Sequence, residues 1–300
     1  MLAGAALMAA PGACVAQDGP TPSRRLMENK IRAATAKFKG NVWLYAKNLD
    51  TGSTFGLRED EPVRTASTIK LPILIAVHTA VAAGKANWTD RLTLTEEAKI
   101  GGSGVLSEFT AGESFQLGDL CNLMIVVSDN TATNMILDRF TADYVNEVMD
   151  SLGLRRTRSM RKILGNRAQG DGWSAAGRNE ENKRFGIGSS TPKEMVALLE
   201  QLYAGKIVSA AASQKILDVM KRQQYKEGIG RRFDERTPVM SKSGSLDALR
   251  SDVGLIFVPN GKFAIAITVD DMPVKDYSPD NVGSKLISEL TGYLLSGLGK

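Results

Sequence analysis

Between Lys70 and Lys85 the chain carries no charged residue, and the run Leu71-Pro72-Ile73-Leu74-Ile75-Ala76-Val77-His78-Thr79-Ala80-Val81-Ala82-Ala83 is apolar on nearly every side. A helix without a polar face has to lie in the centre of a domain, walled in by other elements. It is too short to span a bilayer. Whatever stands at its head is therefore held on a rigid platform, and what stands there is Ser67-Thr68-Ile69-Lys70. On the first turn of a helix, a spacing of three puts the serine hydroxyl and the lysine amine on one face. An amine so placed activates a serine, and the free N–H groups of the helix start stabilise negative charge developing beside it. Pro72 removes one N–H from the second turn, which is tolerable when the helix begins near Ser67.

With 300 residues, 43% of them hydrophobic, the chain can build one large domain or two interleaved ones. Its net charge of +5 fits attraction to anionic small molecules or polymers. No aromatic-interleaved basic motif points to nucleic acid. Met1 to Ala16 reads as a secretory signal peptide, with Cys14-Val15-Ala16 before Gln17 as the cleavage site. Its positively charged leader is missing, which fits a start codon assigned too far downstream. A lipoprotein signal at Cys14 is disfavoured by Pro11, which stands where a branched apolar residue belongs. Removal of the signal takes Cys14 and leaves Cys121 alone, so no disulfide is expected. The expectation is an exported monomer without stable membrane insertion.

Taken in order, Ser23–Phe38 has helical spacing, with Leu26, Ile31, Ala34 and Phe38 on one side. Asn41–Asn48 alternates Val42, Leu44 and Ala46 against Trp43, Tyr45 and Lys47, and Asp50-Thr51-Gly52 turns the chain into a second short strand over Ser53–Leu57. After the buried helix and a loop through Gly101-Gly102-Ser103-Gly104, helical patterns cover Leu117–Val127, Thr131–Phe140, Thr141–Leu152, Thr191–Tyr203 and Ala211–Arg222. Thr191-Pro192-Lys193-Glu194 announces the fourth with a capping pattern. Strand character returns at Pro238–Ser245, Ser251–Val258 and Lys262–Asp270, with a turn at Pro259-Asn260-Gly261, and Asn281–Leu298 closes the chain as an amphipathic helix. Strands at both ends with helices between them predict an α/β chain of α+β type. Its antiparallel sheet is built from the N- and C-terminal parts (23–63 and 208–300), is flanked by helices, and receives an inserted all-helical subdomain (64–207). The cleft between the two parts is the natural site.

Ser128-Asp129-Asn130 lies between two helices, where Asp129 or Asn130 can serve simply as an N-cap, and Lys242-Ser243-Gly244 ends a strand before a turn. Together with Ser67-x-x-Lys70, and in this order, they form a set. The chain resembles the serine penicillin-recognising enzymes, most closely class A β-lactamases, whose S-x-x-K, S-D-N and K-T-G motifs are matched with serine in place of the last threonine. The stretch Leu120-Cys121-Asn122-Leu123-Met124-Ile125 before Ser128 is also similar to class A, and the likeness runs from about Ile31 to the last helix. The resemblance implies Ser67 as the nucleophile, Lys70 as its base, and Ser128 as the proton relay to the departing nitrogen. It further implies Asn130 holding the substrate amide, Lys242 and Ser243 binding a carboxylate beside Gly244, and the backbone N–H groups of Ser67 and Ser245 forming the oxyanion hole. It implies neither metal nor organic cofactor. The substrate is expected to be a small β-lactam or a peptidoglycan stem peptide. Hairpin geometry adds Arg250, placed across from Gly244 where a guanidinium reaches the same carboxylate, with a plain surface strand arginine as the other reading. His78 reads as a core residue, which disfavours a serine–histidine–aspartate triad.

The chain departs from the family in one loop. Class A enzymes carry a deacylating glutamate in an R-x-E-x-x-L-N pattern, and a gap-free reading from Leu152-Gly153 gives Arg161-Lys162-Ile163-Leu164-Gly165-Asn166. Ile163 takes the glutamate's place and cannot accept a proton. The loop continues past Asp171-Gly172-Trp173, where Glu180 and Glu181 are candidate replacements, with an exposed surface position as the alternative for both. The leading expectation is a β-lactamase acting through an acyl-enzyme on Ser67. The alternative is a D-alanyl-D-alanine carboxypeptidase-like hydrolase or penicillin-binding protein that acylates but deacylates slowly. The basic cluster Arg155-Arg156, Arg158, Arg161-Lys162 reads as a solvated face, or else as a contact for anionic envelope polymer.

Overall fold

The computed structural model describes residues 21–163 and 172–299. The signal-peptide reading, Cys14 included, lies outside the described residues, as do Leu164 to Asp171.

Helix α1 (Pro22–Lys37) starts on Thr21, whose hydroxyl accepts the Arg24 N–H, and has proline in its first turn. It buries Met27 and Ile31, with Ala34 and Phe38 packed at the edge of the same cluster, a 4-3-4 spacing. Leu26 is 55% exposed. The expected apolar face is thus one residue out of phase at its start, because Leu26 lies five residues from Ile31 and points well away from it. Strand β1 (Asn41–Asn48) buries every second residue and turns into β2 (Thr54–Leu57). The short β3 (Val63–Arg64) leads into a 3₁₀ turn over Ala66–Ile69 and then into α2 (Lys70–Ala82).

The central helix α2 is buried from Lys70 through His78 without interruption, as its lack of charge demands. Around it stand α3 (Leu117–Val126), α4 (Asn130–Phe140) and α5 (Ala142–Ser151), with a two-stranded ribbon of β4 (Arg91–Thr93) and β5 (Ser114–Gln116) leading into α3. A second small sheet has the order β3-β7-β6, formed with β6 (Arg158–Ser159) and β7 (Gly188–Ser190). Between those strands lie α6 (Ala175–Arg178) and a 3₁₀ turn, Glu180–Phe185. The insert is therefore mainly helical but pinned by strand pairs of two or three residues, too short for periodicity to reveal.

Helices α7 (Pro192–Tyr203) and α8 (Ala210–Lys221) return the chain to the sheet, completed by β8 (Val239–Leu246), β9 (Leu249–Val258), β10 (Gly261–Asp270) and the closing helix α9 (Val282–Leu298). Thr191 caps α7 through the Glu194 N–H, as its pattern predicts. The sheet is antiparallel throughout with the order β2-β1-β10-β9-β8, so the first strand pairs with the last, Leu44 opposite Ile267. Each face covers its own core. Phe263, Ile265, Ile267 and Val269 meet α1 and α9, while Ala264 and Ala266 face α2, α7 and α8. Burying each of the larger side chains contributes about 1.5–3 kcal/mol. Although α7 falls within the 64–207 insert by sequence, it packs against β1, β9 and β10. This α+β architecture, with its sheet drawn from both chain ends, is the one the sequence leads us to expect, and β8 lies along the Ser67 turn at the junction of sheet and insert.

Candidate active site

Ser67 is half-buried in the 3₁₀ turn, and the Lys70 N–H closes that turn on the Ser67 carbonyl. The preceding Ala66 has φ +45°, an uncommon conformation for a residue with a side chain and one that clusters at functional turns. Gly244 of β8 presses against this turn: a Cβ there would lie 2.7 Å from the Thr65 carbonyl and 2.9 Å from the Ser67 nitrogen. The glycine of the Lys-Ser-Gly motif thus lets the strand touch the Ser67 backbone.

Two lysines, both 0% exposed, meet beside Ser67. Lys70 Nζ donates to the Ser128 carbonyl at 2.6 Å and to Asn130 Oδ1 at 2.8 Å, and pairs with Ser128 Oγ at 3.2 Å. These bonds go to the Ser128-Asp129-Asn130 loop rather than to the Ser67 hydroxyl. Burial, reinforced by the Lys242 charge, holds the Lys70 amine well below the ordinary lysine range, against the pull of Asp129. Lys242 Nζ donates to Ser128 Oγ at 3.0 Å and to the Ser243 carbonyl at 2.8 Å. Burial lowers its pKa to about 7, opposed by Asp252.

Ser128 has φ +54°, and Asp129 caps α4 by accepting the Ala132 N–H at 2.8 Å. Asp129 Oδ2 also accepts the N–H groups of Val105 and Leu106, at 2.7 and 2.8 Å. The capping role and the site role therefore coexist in one tripeptide: Asp129 fixes the loop while its neighbours face the cleft. Asn130 donates from Nδ2 to the Gly101 carbonyl at 2.9 Å, which fixes the orientation of its amide oxygen toward Lys70.

A cleft of about 740 Å³ is lined by Ser67, Ser128, Asn130, Ser243, Gly244 and Ser245, among others. Arg250 also lines it but pairs with Ser245, one register position beyond Gly244's partner Ser251. Its Nη1 donates to the carbonyls of Leu246 and Leu249, both at 2.6 Å, its Nη2 donates to the Asp276 carbonyl, and Tyr277 stacks 4.9 Å from the guanidinium. The guanidinium expected to meet a carboxylate thus lies at the cleft with part of its donor fork on the protein's own backbone. Asp252 lines the cleft and Gln223 bonds to its Lys242-Ser243 edge; the sequence reading singled out neither. Asp252 is 1% exposed, accepts the Ile229 N–H at 3.0 Å through Oδ2, and leaves Oδ1 without a partner. Burial raises its carboxyl to about 7, against the Ile229 N–H and the Lys242 charge. Neither belongs to a local motif, so spacing held no signal for either.

A family model described as the β-lactamase enzyme family matches residues 26–295. The chain belongs to that family. Among solved structures similar to it is a β-lactamase from Sphaerobacter thermophilus, 32% identical, covering 91% of this chain and 96% of that one with a TM-score of 0.77. Another is PBP-A, solved as a leucine-to-glutamate mutant in an acyl-enzyme complex with penicillin G. It is 26% identical, covers 90% of this chain and 94% of that one, and has a TM-score of 0.76. The β-lactamase SME-1 of Serratia marcescens is 27% identical over 181 residues, which is 60% of this chain and 58% of that enzyme's length.

In this β-lactamase-family protein the divergent loop is anchored at Ile163, the last described residue before Leu164. Ile163 donates its N–H to Asn134 Oδ1 and accepts from Asn134 Nδ2, both at 2.9 Å, so its peptide is clamped to α4. Glu180 and Glu181 do not come to the cleft. Both are exposed in their 3₁₀ turn, and Glu180, with a side chain 82% exposed, pairs with Lys183 at 2.5 Å. The reason is local: residues three apart on so tight a turn eclipse each other, and the lysine draws the carboxylate outward. Much of the basic cluster is engaged within the protein, Arg156 on the Asp60 carbonyl, Arg158 on Asp150 and Lys162 on Asp138, while Arg161 lies over Trp173. His78 packs edge-on against Trp88 at 4.6 Å, and burial lowers its pKa to about 4, which makes it a core residue. Cys121 is a buried free thiol.

Proposed function

We propose that this protein is a serine hydrolase that reacts with β-lactams through an acyl-enzyme on Ser67. The observation that carries the reading is the meeting of Lys70 and Lys242 on one hydroxyl, Ser128 Oγ. Lys242 has three acceptors around it, the Ser243 carbonyl, Gln223 Oε1 and Ser128 Oγ, which suits the three N–H bonds of an ammonium. Lys70 has two amide oxygens and that hydroxyl. This suits a neutral amine with two N–H bonds and a lone pair.

Neutral Lys70 is the base. As a substrate enters, its amine turns to Ser67 and takes the hydroxyl proton while Oγ bonds to the carbonyl carbon. The N–H groups of Ser67 and Ser245 stabilise the oxyanion. When the carbon–nitrogen bond breaks, Ser128 gives its proton to the nitrogen and recovers one from Lys70, so the Ser67 proton ends on the leaving nitrogen. The Lys242 ammonium and the Ser243 hydroxyl bind the substrate carboxylate. Export from the cytoplasm and action as a monomer are part of this proposal, testable by fractionation and by light scattering.

A second reading is favoured by Ile163, clamped where the family's pattern carries its glutamate, and by the likeness to PBP-A. In it the acyl-enzyme forms readily but is released slowly, as in a D-alanyl-D-alanine peptidase-like enzyme. A chromogenic cephalosporin in excess, followed by intact mass, separates the two. Sustained turnover with free enzyme recovered supports a β-lactamase; a single burst with a lasting adduct on Ser67 supports the slow-release reading; neither burst nor adduct refutes both.

A further inference from the structure

Gln223 stands just beyond the end of α8, is 2% exposed, and touches three consecutive residues of β8. Its Nε2 donates to Ser241 Oγ at 2.7 Å. Its Oε1 accepts the Ser243 N–H at 2.8 Å, the Ser243 hydroxyl at 3.0 Å and the Lys242 ammonium at 3.4 Å. The amide cannot turn over, because a flipped group would set its N–H bonds against those of Ser243 and Lys242. The segment that carries it is tied as well, since Gln224 donates its N–H to the Val126 carbonyl at 3.0 Å, two residues before Ser128.

The topology explains why such a tie matters. Strand β8 is the outer strand of the sheet, so one of its edges has no partner strand. The Ser243 N–H points to that open edge, since it reaches Gln223 instead of β9. Backbone direction alternates along a strand, so the Ser245 N–H points the same way, two residues further into the cleft. An edge with unpaired N–H groups is prone to shift and fray.

We propose that Gln223 is the positioning residue that locks the Lys242-Ser243 end of β8 in place, holding the lysine on Ser128 and aiming the Ser245 N–H at the acyl carbonyl. This rests on the acyl-transfer reading above. Gln223 touches no reacting atom and acts through the strand. The charged groups near Lys242 are Lys70 from α2 and Asp252 from β9, with Glu227 acting on Asp252 from the loop after α8. Gln223 adds a neutral amide acceptor to the Ser243 carbonyl and Ser128 Oγ.

The test uses the full chain with Gln223→Ala and Gln223→Glu. It follows acylation by penicillin G against pH by intact mass, and hydrogen exchange of the peptide spanning residues 239–246. Gln223→Ala should lower the acylation rate constant about a hundredfold, as small misplacements of reacting groups do. It should also expose the Ser243 amide and move the alkaline limb to lower pH, since Lys242 loses an acceptor. Gln223→Glu keeps the acceptor and adds negative charge beside Lys242, so it should recover most of the rate and move that limb to higher pH. Unchanged rates and exchange in both variants overturn the proposal, and so does a glutamate variant as slow as the alanine one with an unmoved limb. If Gln223→Ala does not fold, the direction of the limb in Gln223→Glu decides alone. If wild-type protein takes up no penicillin while Gln223→Ala still exposes the amide, the acyl-transfer reading fails and the tie on β8 stands.

Discussion

Lys70 on α2 and Lys242 on β8 share one hydroxyl, Ser128 Oγ, at 3.2 and 3.0 Å. No other side chain gives the two amines a common contact among the described hydrogen bonds, so the proposed mechanism predicts that Ser128 relays the proton to the leaving nitrogen. Ser128→Ala should slow acylation about 10²–10⁴-fold, the range expected when a positioned acid–base group is lost. The rate of adduct formation by intact mass checks it, and a near-wild-type rate would remove Ser128 from the proton path.

Asp252 supplies the negative charge opposing the low pKa of Lys242. Asp252→Asn should therefore let Lys242 lose its proton at lower pH, drawing the alkaline limb of acylation to lower pH. Stability should move too. The folded-state carboxyl is raised to about 7 from 3.8, so its contribution is present in acid and lost as pH climbs from about 4 through about 7. The asparagine variant should gain on wild type across that window, read as midpoint differences in urea melts at pH 4 and pH 8. A constant difference across the two would show that Asp252 does not titrate there.

Gly244→Ala sets a methyl group against the Thr65 carbonyl and the Ser67 nitrogen. Overpacking of this kind costs about 1–3 kcal/mol, and the strand must retreat from the turn. Acylation should fall about a hundredfold, since the two N–H donors for the oxyanion separate. Stopped-flow acylation together with a denaturant melt distinguishes retreat from unfolding: a stable, fully reactive variant would mean that the close contact is not needed.

Ile163→Glu tests the divergent loop. With its peptide clamped to Asn134, a glutamate at this place should shorten the lifetime of the penicillin adduct by about a hundredfold, roughly the low end of a general base's effect. Glu180→Gln and Glu181→Gln should leave that lifetime as it is, because both side chains face solvent. The decay of adduct mass after removal of excess penicillin provides the measurement. A shorter lifetime on removing either glutamate's charge, or none with Ile163→Glu, would contradict the placement of this loop.

What could be read in the chain was whatever its chemistry repeats at short range. Ser67 and Lys70 are three apart on one turn, the alternation of Val42, Leu44 and Ala46 marks a sheet face, and Thr191 to Glu194 spells out a cap. Residues whose role depends on topology stayed hidden. Gln223 matters because β8 is an outer strand, and Asp252 because β9 carries it beneath Lys242. Arg250 lies one register position from the expected one, opposite Ser245, and part of its fork bonds the carbonyls of Leu246, Leu249 and Asp276, the last brought near only by the folded loop. Glu180 went to Lys183 because a 3₁₀ turn aligns them.

The pairing of β1 with β10 also sets an order of events. A chain folded through α8 already holds Ser67, Lys70 and Ser128, but it lacks the strand that supplies Lys242 and the Ser245 N–H. That strand hangs on β9, which hangs on β10, which needs β1 from the opposite end of the sequence. Such distant pairing is the slow part of folding. The proposed site is therefore complete only in a chain whose two ends have met in one sheet, so a truncation at either end should cost the site before it costs the helical insert.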